Sequence, residues 1–68
     1  MGEKREYGVG DYARVLQDDR PWLLQHVGEL GEIMHLSYAP QGYLELVTLK
    51  FPNGDSIAYW PRDLEAQA

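Results

Sequence analysis

The run from Tyr43 to Phe51 alternates with a period of two. It stops at Pro52-Asn53-Gly54-Asp55, and a second extended run, Ser56 to Trp60, follows. Successive side chains of a strand point to opposite faces, so alternation over this length specifies a half-buried strand. One face carries Tyr43, Glu45, Val47, Leu49 and Phe51, and the other carries Leu44, Leu46, Thr48 and Lys50. The first face ends in three successive apolar positions, so Val47, Leu49 and Phe51 are expected inside. Asn53-Gly54 predicts a type I′ hairpin turn, whose two central residues both need positive φ. Pro61 then ends the return strand, because it has no amide to donate.

The rest of the chain repeats this grammar on a smaller scale. Residues 1–8 are polar and carry two glycines, and they read as a flexible N-terminal arm. A first strand follows Gly10-Asp11, with Ala13 and Val15 on the inner side and Tyr12, Arg14 and Leu16 on the outer. Gln17-Asp18-Asp19-Arg20-Pro21 is a loop signal, since proline disfavours helical geometry in the residue before it. Trp22 to Val27 is too short for an independent helix. It is expected as an irregular loop carrying Trp22 and Leu24, with room for one helical turn. Gly28 and Gly31 bracket Glu29-Leu30, where glycine permits positive φ or a close backbone approach. A second strand of imperfect period runs from Glu32 to Tyr38. Ala39-Pro40-Gln41-Gly42 forms a turn, with proline setting φ early and glycine taking a positive φ late. Arg62-Asp63-Leu64-Glu65 reads as one short helical turn that places Leu64 over the end of the core.

Four or five short strands with turn residues between them predict an all-β fold, a single small barrel of about five antiparallel strands. The expected organisation is an arm over 1–8, the barrel over 9–65 and a tail over 66–68. With 68 residues the chain makes one domain. A domain that small buries only roughly 60% of its unfolded surface and has little room for a deep cleft. It holds no cysteine, which removes disulfides and thiolate metal sites and fits a cytoplasmic setting. No segment approaches the ~20 apolar residues that cross a bilayer, so no membrane insertion is expected.

Charge narrows the partners. Six Lys and Arg stand against eleven Asp and Glu, a net charge of −5. Phosphate backbones repel such a surface, which argues against nucleic acid and for a larger protein or enzyme complex with a basic docking surface. His26 and His35 are the only histidines, nine positions apart, without ligand spacing; no metal and no cofactor are expected. Asp18-Asp19 and Asp55 lack a calcium-loop pattern. No serine or cysteine nucleophile sits in a recognisable motif, so no catalytic residue is assigned and the chain is not expected to be an enzyme. The aromatics carry more information. Tyr12, Trp22, Tyr38, Tyr43, Tyr59 and Trp60 exceed what so small an interior accepts. Tyr and Trp are enriched at binding hot spots. Trp22, Tyr59 and Trp60 are therefore expected to form a surface groove, with Asp18, Asp19 and Glu29 as its acidic rim.

The segments Val9-Gly10-Asp11-Tyr12-Ala13-Arg14-Val15, Gly28 to Ile33, Leu46 to Asp55 and Trp60 to Glu65 together resemble the SH3-like small barrels. The pattern recurs in KOW-type barrels of translation and transcription factors, in photosystem I stromal-subunit-like accessories and in nitrogenase accessory proteins. The resemblance implies a docking module whose loops and exposed aromatics bind. It leaves open a nucleic-acid-associated barrel, or a permanent small subunit of a redox or nitrogenase complex.

Overall fold

The computed structural model describes residues 7–67, without the side chains of Leu23 and Leu24. Most of the expected arm, residues 1–6, lies outside the described residues, as do Ala68 and the expected placement of the Leu24 side chain. Five strands form: β1 (Tyr12–Val15), β2 (Leu30–Tyr38), β3 (Leu44–Lys50), β4 (Ser56–Tyr59) and β5 (Leu64–Gln67). They make one antiparallel sheet in the order β4-β3-β2-β1-β5. Two 3-10 turns interrupt them, Pro21–His26 before β2 and Pro61–Asp63 before β5.

The inner faces follow the alternation. Ala13 and Val15 of β1 are buried, as are Val47 and Leu49 of β3 and the following Phe51. Ile33, Tyr59 and Leu64 complete a single cluster, with Tyr7, Leu36, Leu44 and Ile57 packed against it. Tyr59 lies on β4 and Leu64 on β5, the two edge strands. A flat sheet cannot bring its edges into one cluster, so this sheet is strongly curved. It is not closed: β4 and β5 remain edges, and the second 3-10 turn carries the chain from one to the other.

Both tight hairpins use the same device. The Gly42 amide donates to the Ala39 carbonyl at 2.9 Å, and the Ala39 amide to the Tyr43 carbonyl at 2.9 Å. The β3–β4 turn repeats this, with Gly54 donating to Phe51 and Phe51 to Asp55, both at 2.9 Å. Gly42 and Gly54 have φ of 102° and 97°, and no described residue other than glycine has positive φ. The expected type I′ turn at Asn53-Gly54 is therefore replaced by a three-residue loop, a type I turn closed by a left-handed glycine. Pro52 is the reason: its ring fixes φ near −65° at the first turn position.

The second strand begins earlier than expected, at Leu30, and its imperfect period has a structural cause. Ile33 faces Leu49 while His35 faces Thr48, so Met34 is an extra residue in a β-bulge. Gly31 serves close approach. A Cβ there would stand 2.9 Å from Leu49 Cβ and 3.0 Å from Phe51 Cε1. Two expectations at the ends change. The helical turn at residues 62–65 is a 3-10 turn over Pro61–Asp63, after which Leu64–Gln67 pairs with β1. The 66–68 tail thus starts inside a strand, at Ala66 and Gln67. Tyr7, assigned to the arm, is half-buried, and its hydroxyl lies 3.2 Å from the carbonyl oxygens of both Pro61 and Leu64.

Candidate functional site

The first 3-10 turn, Pro21–His26, meets the β3–β4 hairpin through His26, and the two build a polar constellation. His26 ends that turn and is 1% exposed. Its Nδ1 lies 2.7 Å from Glu29 Oε1, and its Nε2 lies 3.0 Å from Asp55 Oδ2. The imidazole stacks on Phe51, with centroids 4.1 Å apart and planes within 13°. Phe51 meets Tyr59 edge to face at 6.3 Å and 84°. The Arg20 guanidinium lies over the far ring, 5.3 Å from the Tyr59 centroid. Four flat groups thus link the loop to the core: imidazole, benzene, phenol and guanidinium.

Each end of this column is held by carboxylates. Asp55 is fixed by its neighbour, since the Asn53 side-chain amide donates to Asp55 Oδ2 at 3.1 Å and the Asp55 amide donates to Asn53 Oδ1 at 3.0 Å. At the other end Arg20 Nε donates to Asp18 Oδ1 at 2.9 Å. Arg20 Nη2 donates to the Ala58 carbonyl at 3.0 Å, on the free edge of β4. The hydrogen bond to Glu29 raises the His26 pKa above 6.5 against the opposing effect of burial, and Asp55 adds to the rise. Burial acts to raise the Asp18 pKa, but the hydrogen bonds and charge of Arg20 outweigh it and hold the carboxyl below its ordinary range. Asp55 is likewise lowered, first by its bond to His26 and then by Asn53. Burial pushes the Tyr59 phenol up to about 12, and its hydroxyl, fully enclosed, has no hydrogen-bond partner among the described residues.

The six residues expected to form one aromatic, acidic groove separate in the structure. Trp22 and Trp60 are on the surface, 70% and 46% exposed. Tyr59 is a correction: it is fully buried in the core and offers no surface. It pairs in register with Val47, which places it on the inner face. Asp18 is also withdrawn, its side chain 1% exposed and committed to Arg20. Asp19 is exposed. Glu29 stands with His26 and Asp55 instead of with Asp18 and Asp19. What the fold does bring together is Gln17, Asp18 and Asp19 with Arg62 and Asp63, around a shallow depression of about 210 Å³. Arg62 lies over the Trp60 indole at 5.4 Å, so this depression adjoins Trp60 through the second 3-10 turn.

The constellation was only half visible in the chain. His26 and Glu29 are three apart in the chain, whereas Asp55 lies 29 residues beyond His26. His26, Glu29 and Asp55 do not make a metal site, because the carboxylates occupy opposite ring nitrogens and cannot converge on one ion. Among the described residues no group of three His, Cys, Asp or Glu side chains could hold a metal. No helix among them is long and apolar enough to cross a membrane. Comparison with family models, with curated proteins and with solved structures gave no match to this chain.

Proposed function

We propose that this chain is a non-catalytic docking module of the SH3-like kind, acting in the cytoplasm on a larger protein or complex with a basic docking surface. On this reading the curved sheet stands for a small barrel that presents its loops. The observation that carries the proposal is Trp22, a large ring 70% exposed on a short turn. Such a ring sits in water at a cost, which a partner would remove. Trp60, 46% exposed beside the depression lined by Gln17, Asp18, Asp19, Arg62 and Asp63, supplies a second anchor. The net charge of −5 supports a cationic partner segment through complementarity.

Affinity capture with the intact chain, followed by titration of the recovered partner against Trp22→Ala and Trp60→Ala, tests the reading. A hot-spot ring carries ~2 kcal/mol or more, so each variant should bind ~30-fold more weakly or worse. Affinity should also fall as salt rises. Equal recovery of the partner by both variants and the parent rejects the proposal. Tight RNA binding at low salt, with no protein recovered, rejects it in favour of a nucleic-acid barrel.

A further inference from the structure

A neutral imidazole has one N–H and one bare lone pair, whereas an imidazolium has two N–H groups. Both nitrogens of His26 stand within hydrogen-bond distance of a carboxylate oxygen, 2.7 Å from Glu29 and 3.0 Å from Asp55. A carboxylate can only accept, so both contacts are satisfied together in one protonation state alone, the cation. The two partners belong to different segments. Glu29 lies on the approach to β2, and Asp55 lies in the β3–β4 turn. His26 itself closes the turn that begins at Pro21 and carries Trp22.

We propose that His26 is a proton-operated clasp: its imidazolium ties the Pro21–His26 turn to the β3–β4 hairpin, and loss of the proton releases one of the two carboxylates and loosens that turn. The means of release is built in. The Glu29 and Asp55 side chains are 49% and 46% exposed, so either can swing into water when its donor is lost. The imidazole has no such freedom, being enclosed and stacked on Phe51 at 4.1 Å. Among the described residues, the charged and titratable groups facing this column are Glu29 from the β2 approach, Asp55 from the hairpin, Tyr59 from β4, and Asp18 and Arg20 from the loop after β1. Asp18 and Arg20 neutralise each other at the far end, which leaves Glu29 and Asp55 as the two unopposed negative charges around His26. The clasp stands on this geometry whether or not the chain is a docking module. If it is one, the clasp governs how firmly Trp22 is presented.

The test is an NMR titration of the full chain from about pH 5 to about pH 9, spanning the range where histidine ionises. It follows the His26 ring, the Trp22 indole N–H, and the backbone amides of residues 22–26 and 53–55. The expected result is one shared midpoint for all of them, above the midpoint of the same ring in the urea-unfolded chain. Asp55→Asn, a half-exposed position, should lower the His26 midpoint and abolish the pH response of the hairpin amides. Glu29→Gln should lower it likewise. His26→Gln should remove the response of both segments. A ring midpoint at or below the unfolded value overturns the proposal. So do turn and hairpin amides that ignore the ring's titration, or an unchanged midpoint in Asp55→Asn. Should His26→Gln fail to fold, the two carboxylate variants decide. Loss of partner binding plays no part in this readout, so failure of the clasp and failure of the docking reading are separately visible.

Discussion

Removing the Tyr59 hydroxyl should make the protein more stable. Tyr59 is fully buried, and among the described residues its hydroxyl oxygen meets no hydrogen-bond partner. A buried hydroxyl that has lost its water without gaining a partner costs about 1–3 kcal/mol. In Tyr59→Phe that penalty disappears. The ring stays, with its edge contact to Phe51 and the guanidinium of Arg20 above it. Against the gain stands the void left by one oxygen atom, a few tenths of a kcal/mol at ~24 cal/mol per Å³. The net expectation is about 1 kcal/mol of stabilisation, a rise in Tm of ~4–8 °C for a domain this size. Urea and thermal denaturation followed by circular dichroism measure it. The pH dependence supplies a check of the cause. The folded Tyr59 pKa, about 12, lies above the ordinary 10.0, so its contribution is intact below pH 10 and fades as pH climbs through 12. Tyr59→Phe should lack that alkaline loss. Tyr59→Leu, which discards the ring contacts, should instead destabilise by ~1–3 kcal/mol. A loss of 1 kcal/mol or more in Tyr59→Phe would refute the reasoning, because it would mean that the hydroxyl is satisfied.

Gly31→Ala should cost about 1–3 kcal/mol by overpacking, since its Cβ would press on Leu49 and Phe51; a change below 0.5 kcal/mol in urea melts would show that β3 yields freely. Gly54→Ala meets nothing within 4 Å but sits at φ of 97°, so its cost of about 1–2 kcal/mol is purely backbone strain. Equal stability there would contradict the left-handed turn. Stability against pH should form a plateau that includes the span from 3.8 to 6.5. The lowered carboxyls of Asp18 and Asp55 contribute above their ordinary 3.8 and are lost as pH falls through their folded pKa values. The raised His26 contributes fully below 6.5 and is lost as pH rises through its folded pKa. Chemical denaturation across that range checks the shape, and a stability that climbs from neutral to mildly alkaline pH would contradict it.

How far the sequence carried depended on whether a feature was local. The alternation from Leu44 to Phe51 specified which side chains are buried, because register and burial in a half-covered strand are the same constraint. Proline followed two residues later by glycine marked both hairpins, although the type of the second turn was misread by giving Asn53 the role that Pro52 forbids. β5 was missed because Leu64-Glu65-Ala66-Gln67 has no β-branched residue. Its strand geometry is imposed by pairing with β1, a tertiary effect. Tyr59 was misplaced by counting rings when parity was available: Ile57 also packs against the core, and residues two apart share a face. Within the candidate site, Trp22 and Trp60 were legible as surplus aromatics. The ion pairs of His26 were not, because nothing in a linear chain announces that a hairpin tip will meet a loop.

The two outer strands also bear on how the molecule behaves in a crowd of its own kind. β4 and β5 are four residues each, at the short end of the usual strand range. At β4 the Ala58 carbonyl is already taken by the Arg20 guanidinium, and Pro61 lies two residues beyond the strand's end. An intruding chain would find a positively charged side chain where it needs an acceptor, and a ring where it needs an amide. Fibril growth by addition to this margin is thereby opposed in the native fold itself.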